Sequence, residues 1–267
     1  MTLFTREFFG LYKMDMSSFS KGDWYSIAQQ MQNWGVASFV HVCMANLALR
    51  IKKDDDFKHN YCFASAITYA LFAADTVLRG MKQIEAMGQD TSGLYMNTAV
   101  MGGFAVLNFL ALDGDVRFRG KPSFSGGSDC LKVVRYYFFL GLAYGPAFYF
   151  FTDKLMEGYG MKDALSGNAA TWLDVINKGW GIGIFSNSLA LYAALRSTNA
   201  HTHYSVNRLV WVVSAIALVF TVQYKNWTAH EGRDVMPMNF NIALWFAFFY
   251  MSGQAMIGAG PKAVINA

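Results

Sequence analysis

The sequence predicts an all-α, polytopic membrane protein with about seven transmembrane helices, and three observations carry that prediction. Of its 267 residues, 54% are hydrophobic and only 15% are charged. A soluble domain carries about 25% charged residues, so this chain has too few to cover a surface facing water. Apolar stretches near 20 residues recur seven times, each close to the length that crosses a hydrocarbon core of about 30 Å. Only four prolines interrupt the chain, and helices are the open-ended structures that satisfy every backbone group inside lipid.

The chain divides into an amino-terminal segment (1–32), a transmembrane domain (33–260) and a carboxyl-terminal tail (261–267). Residues 1–32 have no apolar run of the signal-peptide kind and carry Glu7, Asp15 and Asp23. Phe4, Phe8, Phe9, Leu11 and Tyr12, beside Arg6 and Lys13, read as a short interfacial segment. The first span, about 34–51, holds His41 and Asn46. The second, about 61–78, holds Asp75 four residues before Arg79. That spacing places both on one helix face, as an ion pair near the interface or, in the functional reading, as a proton-transfer site.

The third span, about 94–112, holds Asn97 and Asn108. The fourth, about 133–151, is dense in aromatics from Tyr136 to Phe151 and holds Gly141 and Gly145. The fifth, about 179–195, carries Gly179, Gly181, Gly183 and Asn187. Small residues at these positions allow close helix approach. The sixth, about 209–224, holds Ser214 and Gln223. The seventh, about 242–258, holds Trp245 in an aromatic run and Gln254. The connections are polar, and an amphipathic stretch at 164–176 is expected to lie along the membrane surface.

Charge sets the orientation. Twelve of the 22 Lys and Arg lie in the odd-numbered loops and carboxyl end, nine of them in the first and third loops. This favours the carboxyl terminus inside. No Lys/Arg run is interleaved with aromatics, so nucleic acid is not an expected partner. Cys43, Cys62 and Cys130 form no CxxC pair and read as free thiols packed as small hydrophobes. His41 reads as a packing histidine more readily than as a ligand, and no metal site is expected. No HExxH, GxSxG or P-loop occurs, and the convergent acid–base groups of a membrane enzyme are missing. The expectation is a protein that is not an enzyme, with no catalytic residues. The polar positions inside the membrane, His41, Asp75, Arg79, Asn108 and Asn187, are the functional candidates.

The pattern of the third helix resembles that of the microbial rhodopsins, whose third helix carries an arginine, a carboxylate three residues later and another eleven beyond. Here those positions are Leu94, Asn97 and Asn108. Val213–Phe220 is similar to that family's sixth-helix run, without most of its aromatics or its proline. In the seventh helix the resemblance puts Gln254 at the Schiff-base lysine and Tyr250 at the aspartate before it; no lysine occurs between Lys225 and Lys262. An amide cannot form an imine, so no covalent retinal is expected. The resemblance implies a rhodopsin-like seven-helix bundle whose charged machinery is neutralised, with Asn97, Trp245 and Gln254 near the old chromophore cavity.

Three functions follow. The first is a non-catalytic accessory subunit of a larger membrane complex, energy-converting in kind, with other subunits, lipids or non-covalent pigments as its partners. The second is a seven-helix sensor or binder of a non-covalent hydrophobic ligand. The third is a transporter of a small solute or of protons. The expected host is an organelle inner membrane or a thylakoid, with the plasma membrane as the alternative.

Overall fold

The computed structural model describes residues 17, 19–158, 167–230 and 235–259. The predicted interfacial segment around Phe4–Lys13 and the 261–267 tail lie outside these residues. Among the described residues there are helices and no strands. The elements are α1 (Lys21–Arg50), α2 (Asp55–Ala86), α3 (Ser92–Leu110), α4 (Asp129–Phe150), a short α5 (Thr152–Gly158), α6 (Gly167–Leu195), α7 (Ala200–His230) and α8 (Met236–Ala259). Each of the seven predicted apolar stretches falls on one of the seven long helices.

The helices outrun the apolar stretches, and the reason is local chemistry. α1 starts at Lys21 because Ser20 and Asp23 form a reciprocal capping box: the Asp23 N–H donates to Ser20 Oγ at 3.1 Å and the Ser20 N–H to Asp23 Oδ2 at 2.7 Å. The expected boundary at residues 32/33 therefore falls inside a continuous helix. α6 also corrects an expectation. The described part of the 164–176 stretch forms the first turns of the 29-residue α6, and Ala169, Trp172, Leu173 and Ile176 are buried against the bundle rather than lying on its surface.

Among the described residues, four helices (α2, α3, α7 and α8) are long and apolar enough to cross a membrane. Together they make the chain an all-helical integral membrane protein. The other three long helices have no stretch as apolar as these, and for α6 the packing explains why. α6 is the hub, packed on α4, α2 and α1. It meets protein on most sides, so small and polar residues such as Gly181, Ser186 and Asn187 replace large aliphatics.

The α4–α6 seam is the closest approach in the bundle. A Cβ on Gly181 would stand 2.8 Å from the Gly145 carbonyl oxygen and 2.9 Å from the Tyr149 amide nitrogen. One on Gly145 would meet the Phe185 backbone at 2.7 Å. The predicted small-residue contacts are thus present, backbone against backbone. α7 and α8 pair along their length, pinned by Asn207 Nδ2 donating to the Ser252 carbonyl at 3.0 Å.

At the end of the bundle where α1 finishes, the connection between α3 and α4 is folded down as a cap. Asn60 of α2 donates to the Arg119 carbonyl at 3.0 Å and accepts from the Arg119 N–H at 2.6 Å. Arg196, just past α6, donates to the carbonyls of Phe118, Arg119 and Gly120. Within the cap, Asp115 accepts from Arg119 Nε at 2.8 Å and Arg117 Nε at 2.9 Å, and chiefly the Arg119 bond holds its carboxyl below the usual range.

Arg196→Met should therefore release the cap while leaving the helices folded. Charge-assisted hydrogen bonds contribute about 1.5–3 kcal/mol each, so amide exchange across residues 115–124 should quicken by about tenfold or more. A depressed folded-state pKa gives stability that is present at neutral pH and lost as pH falls through the carboxylate range. After correction for intrinsic rates, exchange in the cap should also quicken on acidification, and unchanged exchange would show that the cap is held by other contacts.

Candidate functional site

Between α1, α4, α6, α7 and α8 lies a cavity of about 130 Å³. That is the scale at which a protein cavity admits a benzene-sized ring or several waters. Its body is aromatic. Tyr137, Tyr144 and Phe148 of α4 face Trp180 of α6, Tyr224 of α7 and Trp245 of α8. The rings support one another: Phe148 and Trp180 stand 4.1 Å apart by centroid, and Tyr137 and Trp245 6.1 Å.

Amides supply the polar part. Gln29, Gln30 and Asn33 line the cavity from the first turns of α1, and Asn187 lines it from the middle of α6. Asn187 is 7% exposed and Gln29 9%. The Oδ1 atom of Asn187 is buried without a hydrogen-bond partner among the described residues. Ser188 and Thr221 hydroxyls donate back to carbonyls of their own helices, leaving their oxygens able to accept. No Lys, Arg, His, Asp or Glu lines the cavity. The wall therefore offers stacking surfaces and neutral donors and acceptors.

A separate charged network joins α2, α4 and α6. Arg79 grips Asp75 with two bonds, Nε to Oδ1 at 2.8 Å and Nη2 to Oδ2 at 2.6 Å. Its Nη1 donates to Gln83 Oε1 at 2.7 Å, and Gln83 Nε2 donates to Asp174 Oδ2 at 2.9 Å. Lys178 pairs with Asp174 at 2.9 Å. From α4, the Tyr149 hydroxyl donates to Asp75 Oδ1 at 2.7 Å. Two cations and two carboxylates balance.

The alignment depends on a π-turn at Thr76–Gly80. Four α-helical residues overshoot one turn by about 40°. A wider turn takes up that excess, so Asp75, Arg79 and Gln83 stay on one face. Asp75 and Arg79 form the pair that their spacing predicts; Gln83, Tyr149 and Asp174 were not legible, because they join segments 74 and 91 residues apart.

The structure does not bring together the three residues that the rhodopsin resemblance groups. Trp245 is on the cavity wall. Asn97 is half-buried on α3, which packs on α2 at the edge of the bundle and makes no substantial contact with α8. Gln254 is exposed on the outer face of α8. Asn108 is satisfied within its own helix, Nδ2 donating to the Phe104 carbonyl at 2.8 Å. His41 packs by ring contact, 6.2 Å from Tyr69 and 6.4 Å from Tyr61, with neither ring nitrogen hydrogen-bonded among the described residues.

Asn187 is the one polar candidate that reaches the cavity. The α1 amides were missed because Gln29 and Gln30 precede the apolar stretch. Their signal was present: Gln29, Gln30 and Asn33 share a helix face with Val36, Ala37 and Val40. The three cysteines are free. No family model, curated protein or solved structure matches the chain.

Proposed function

We propose that the protein is a seven-span membrane protein that binds a small neutral molecule non-covalently in the α1–α4–α6–α7–α8 cavity. The ligand has a flat or apolar body and carries a hydrogen-bonding group. In this reading α1, α4 and α6 cross the membrane with the four more apolar helices, their polar residues turned inward. The observation that carries the reading is Asn187. A buried amide oxygen without a partner costs about 1–3 kcal/mol, and it sits on the wall of an uncharged, aromatic-lined space. A ligand donor there would recover that cost. A wall without Lys, Arg, His, Asp or Glu favours binding over catalysis or proton transfer.

The test is direct. Protein extracted in mild detergent should release a near-stoichiometric small molecule into organic solvent. Its return should quench the fluorescence of Trp180 and Trp245. Asn187→Leu should weaken binding by about tenfold, since one buried hydrogen bond is lost, while Asn97→Leu should leave it unchanged. A protein that yields no such molecule, and whose fluorescence responds to no neutral aromatic probe, would sink the proposal.

Membership of a larger membrane complex is compatible with this reading. It rests on outward apolar side chains such as Tyr95, Phe104 and Leu110 of α3, which lipid contact alone also satisfies. A rhodopsin-like arrangement draws no support from this geometry, because the residues it would gather lie on separate faces.

A further inference from the structure

A second recess runs between α1 and α7 on the outside of the bundle, near the end where α1 finishes. Its lining changes character along its length. Asn46 of α1 and His201, Ser205 and Arg208 of α7 occupy the end nearest the helix termini, while Phe39 of α1 and Val212 of α7 close the deeper end. From His201 to Val212 the chain rises about 16 Å at 1.5 Å per residue, which takes the recess from the headgroup region into the hydrocarbon.

Arg208 is the feature that points to an occupant. It is exposed, it stands just before the apolar stretch of α7 at the interfacial end of the recess, and it makes no ion pair with any described residue. Asp54, which reaches the start of α7, is already used by the Ser197 and Thr202 hydroxyls and the Phe57 N–H. An exposed, unpaired cation at the membrane interface attracts an anionic lipid headgroup. His201 Nδ1 is also without a partner, and Asn46 makes no hydrogen bond to a described residue.

We infer that this groove binds an anionic phospholipid: Arg208 pairs with its phosphate, His201 and Asn46 bond the headgroup, and an acyl chain lies along Phe39, Leu209 and Val212. The charge complementarity and the polar-to-apolar order of the lining select a lipid over a second protein helix, which would leave Arg208 unpaired unless it brought its own carboxylate.

The experiment uses the full chain in mild detergent, delipidated, with native mass spectrometry after addition of phosphatidylglycerol or phosphatidylcholine of matched chains. Wild type should retain one phosphatidylglycerol about fivefold better than phosphatidylcholine, the ratio set by one interfacial arginine at about 1 kcal/mol. Arg208→Gln should erase that preference and Arg208→Lys should keep most of it. Equal retention of the two lipids by wild type would overturn the proposal and needs no variant to read. Persistence of the preference in Arg208→Gln would overturn it too. Displacement of the lipid by millimolar inorganic phosphate would reassign the groove as a free-phosphate site.

Discussion

Gly181→Val should break the α4–α6 seam and cause a large loss of stability. The valine Cβ would need space held by two backbone atoms, the Gly145 carbonyl oxygen at 2.8 Å and the Tyr149 amide nitrogen at 2.9 Å. A flexible side chain can swing away from such a clash; a helix backbone moves only as a whole. Overpacking a core costs about 1–3 kcal/mol when side chains can adjust, so about 3 kcal/mol or more is expected here. That corresponds to a fall in Tm of about 5–6 °C for a chain of this size.

The same displacement would open the cavity, because Trp180 and Phe148 flank the seam and stand 4.1 Å apart across it. Ligand binding should be lost with stability. Gly103→Ala on α3 is the control. Nothing lies within 4 Å of its Cβ, so the change should be neutral or stabilising by up to about 1 kcal/mol, the difference in helix propensity. Thermal unfolding in detergent reads both. A Gly181→Val protein as stable as wild type would mean that the two helices are not in backbone contact.

The small residues of this seam were legible in the sequence because residue size alone allows close approach, but not which helices they would join. The same holds for the apolar stretches, which fall on long helices, four of them apolar enough to cross a membrane, and for the Asp75–Arg79 pair, which a four-residue step suggests. What the chain hides is convergence. Asn187, Gln29 and Trp245 share one cavity only because α6 is the hub of the bundle, and no local pattern says which helix will be central. The rhodopsin frame ordered the third and seventh helices around a common centre. Here α3 packs at the edge and Gln254 faces outward, so a register that fits each helix separately does not say how the helices are arranged. Helix starts were misjudged for another reason: the polar first turns of α1 and α6 are held by a capping box and by burial of Trp172 and Ile176, neither of which registers in hydropathy.

Breaking the Asp75–Arg79 pair from its two sides should give unequal results, and the inequality tests what the pair does. Arg79→Met leaves the Asp75 carboxylate, 9% exposed, with the Tyr149 hydroxyl as its one remaining side-chain donor. Stranding a buried charge in this way costs about 3–5 kcal/mol. Asp75→Asn leaves a smaller deficit, because Arg79 keeps Gln83 at 2.7 Å and has Asp174 at 3.7 Å, and the amide oxygen can still accept from Tyr149. The double variant should be more stable than the sum of the singles predicts, by about 1–3 kcal/mol of coupling. Denaturant titration of the four proteins measures it. Neither Asp75 nor Arg79 is on the cavity wall, so Asp75→Asn should leave ligand affinity within about twofold of wild type. Additive losses would remove the pair as the clamp of α2 on α4 and α6. A large loss of affinity at unchanged stability would instead return Asp75 to a direct functional role, the one its position inside a membrane span first suggests.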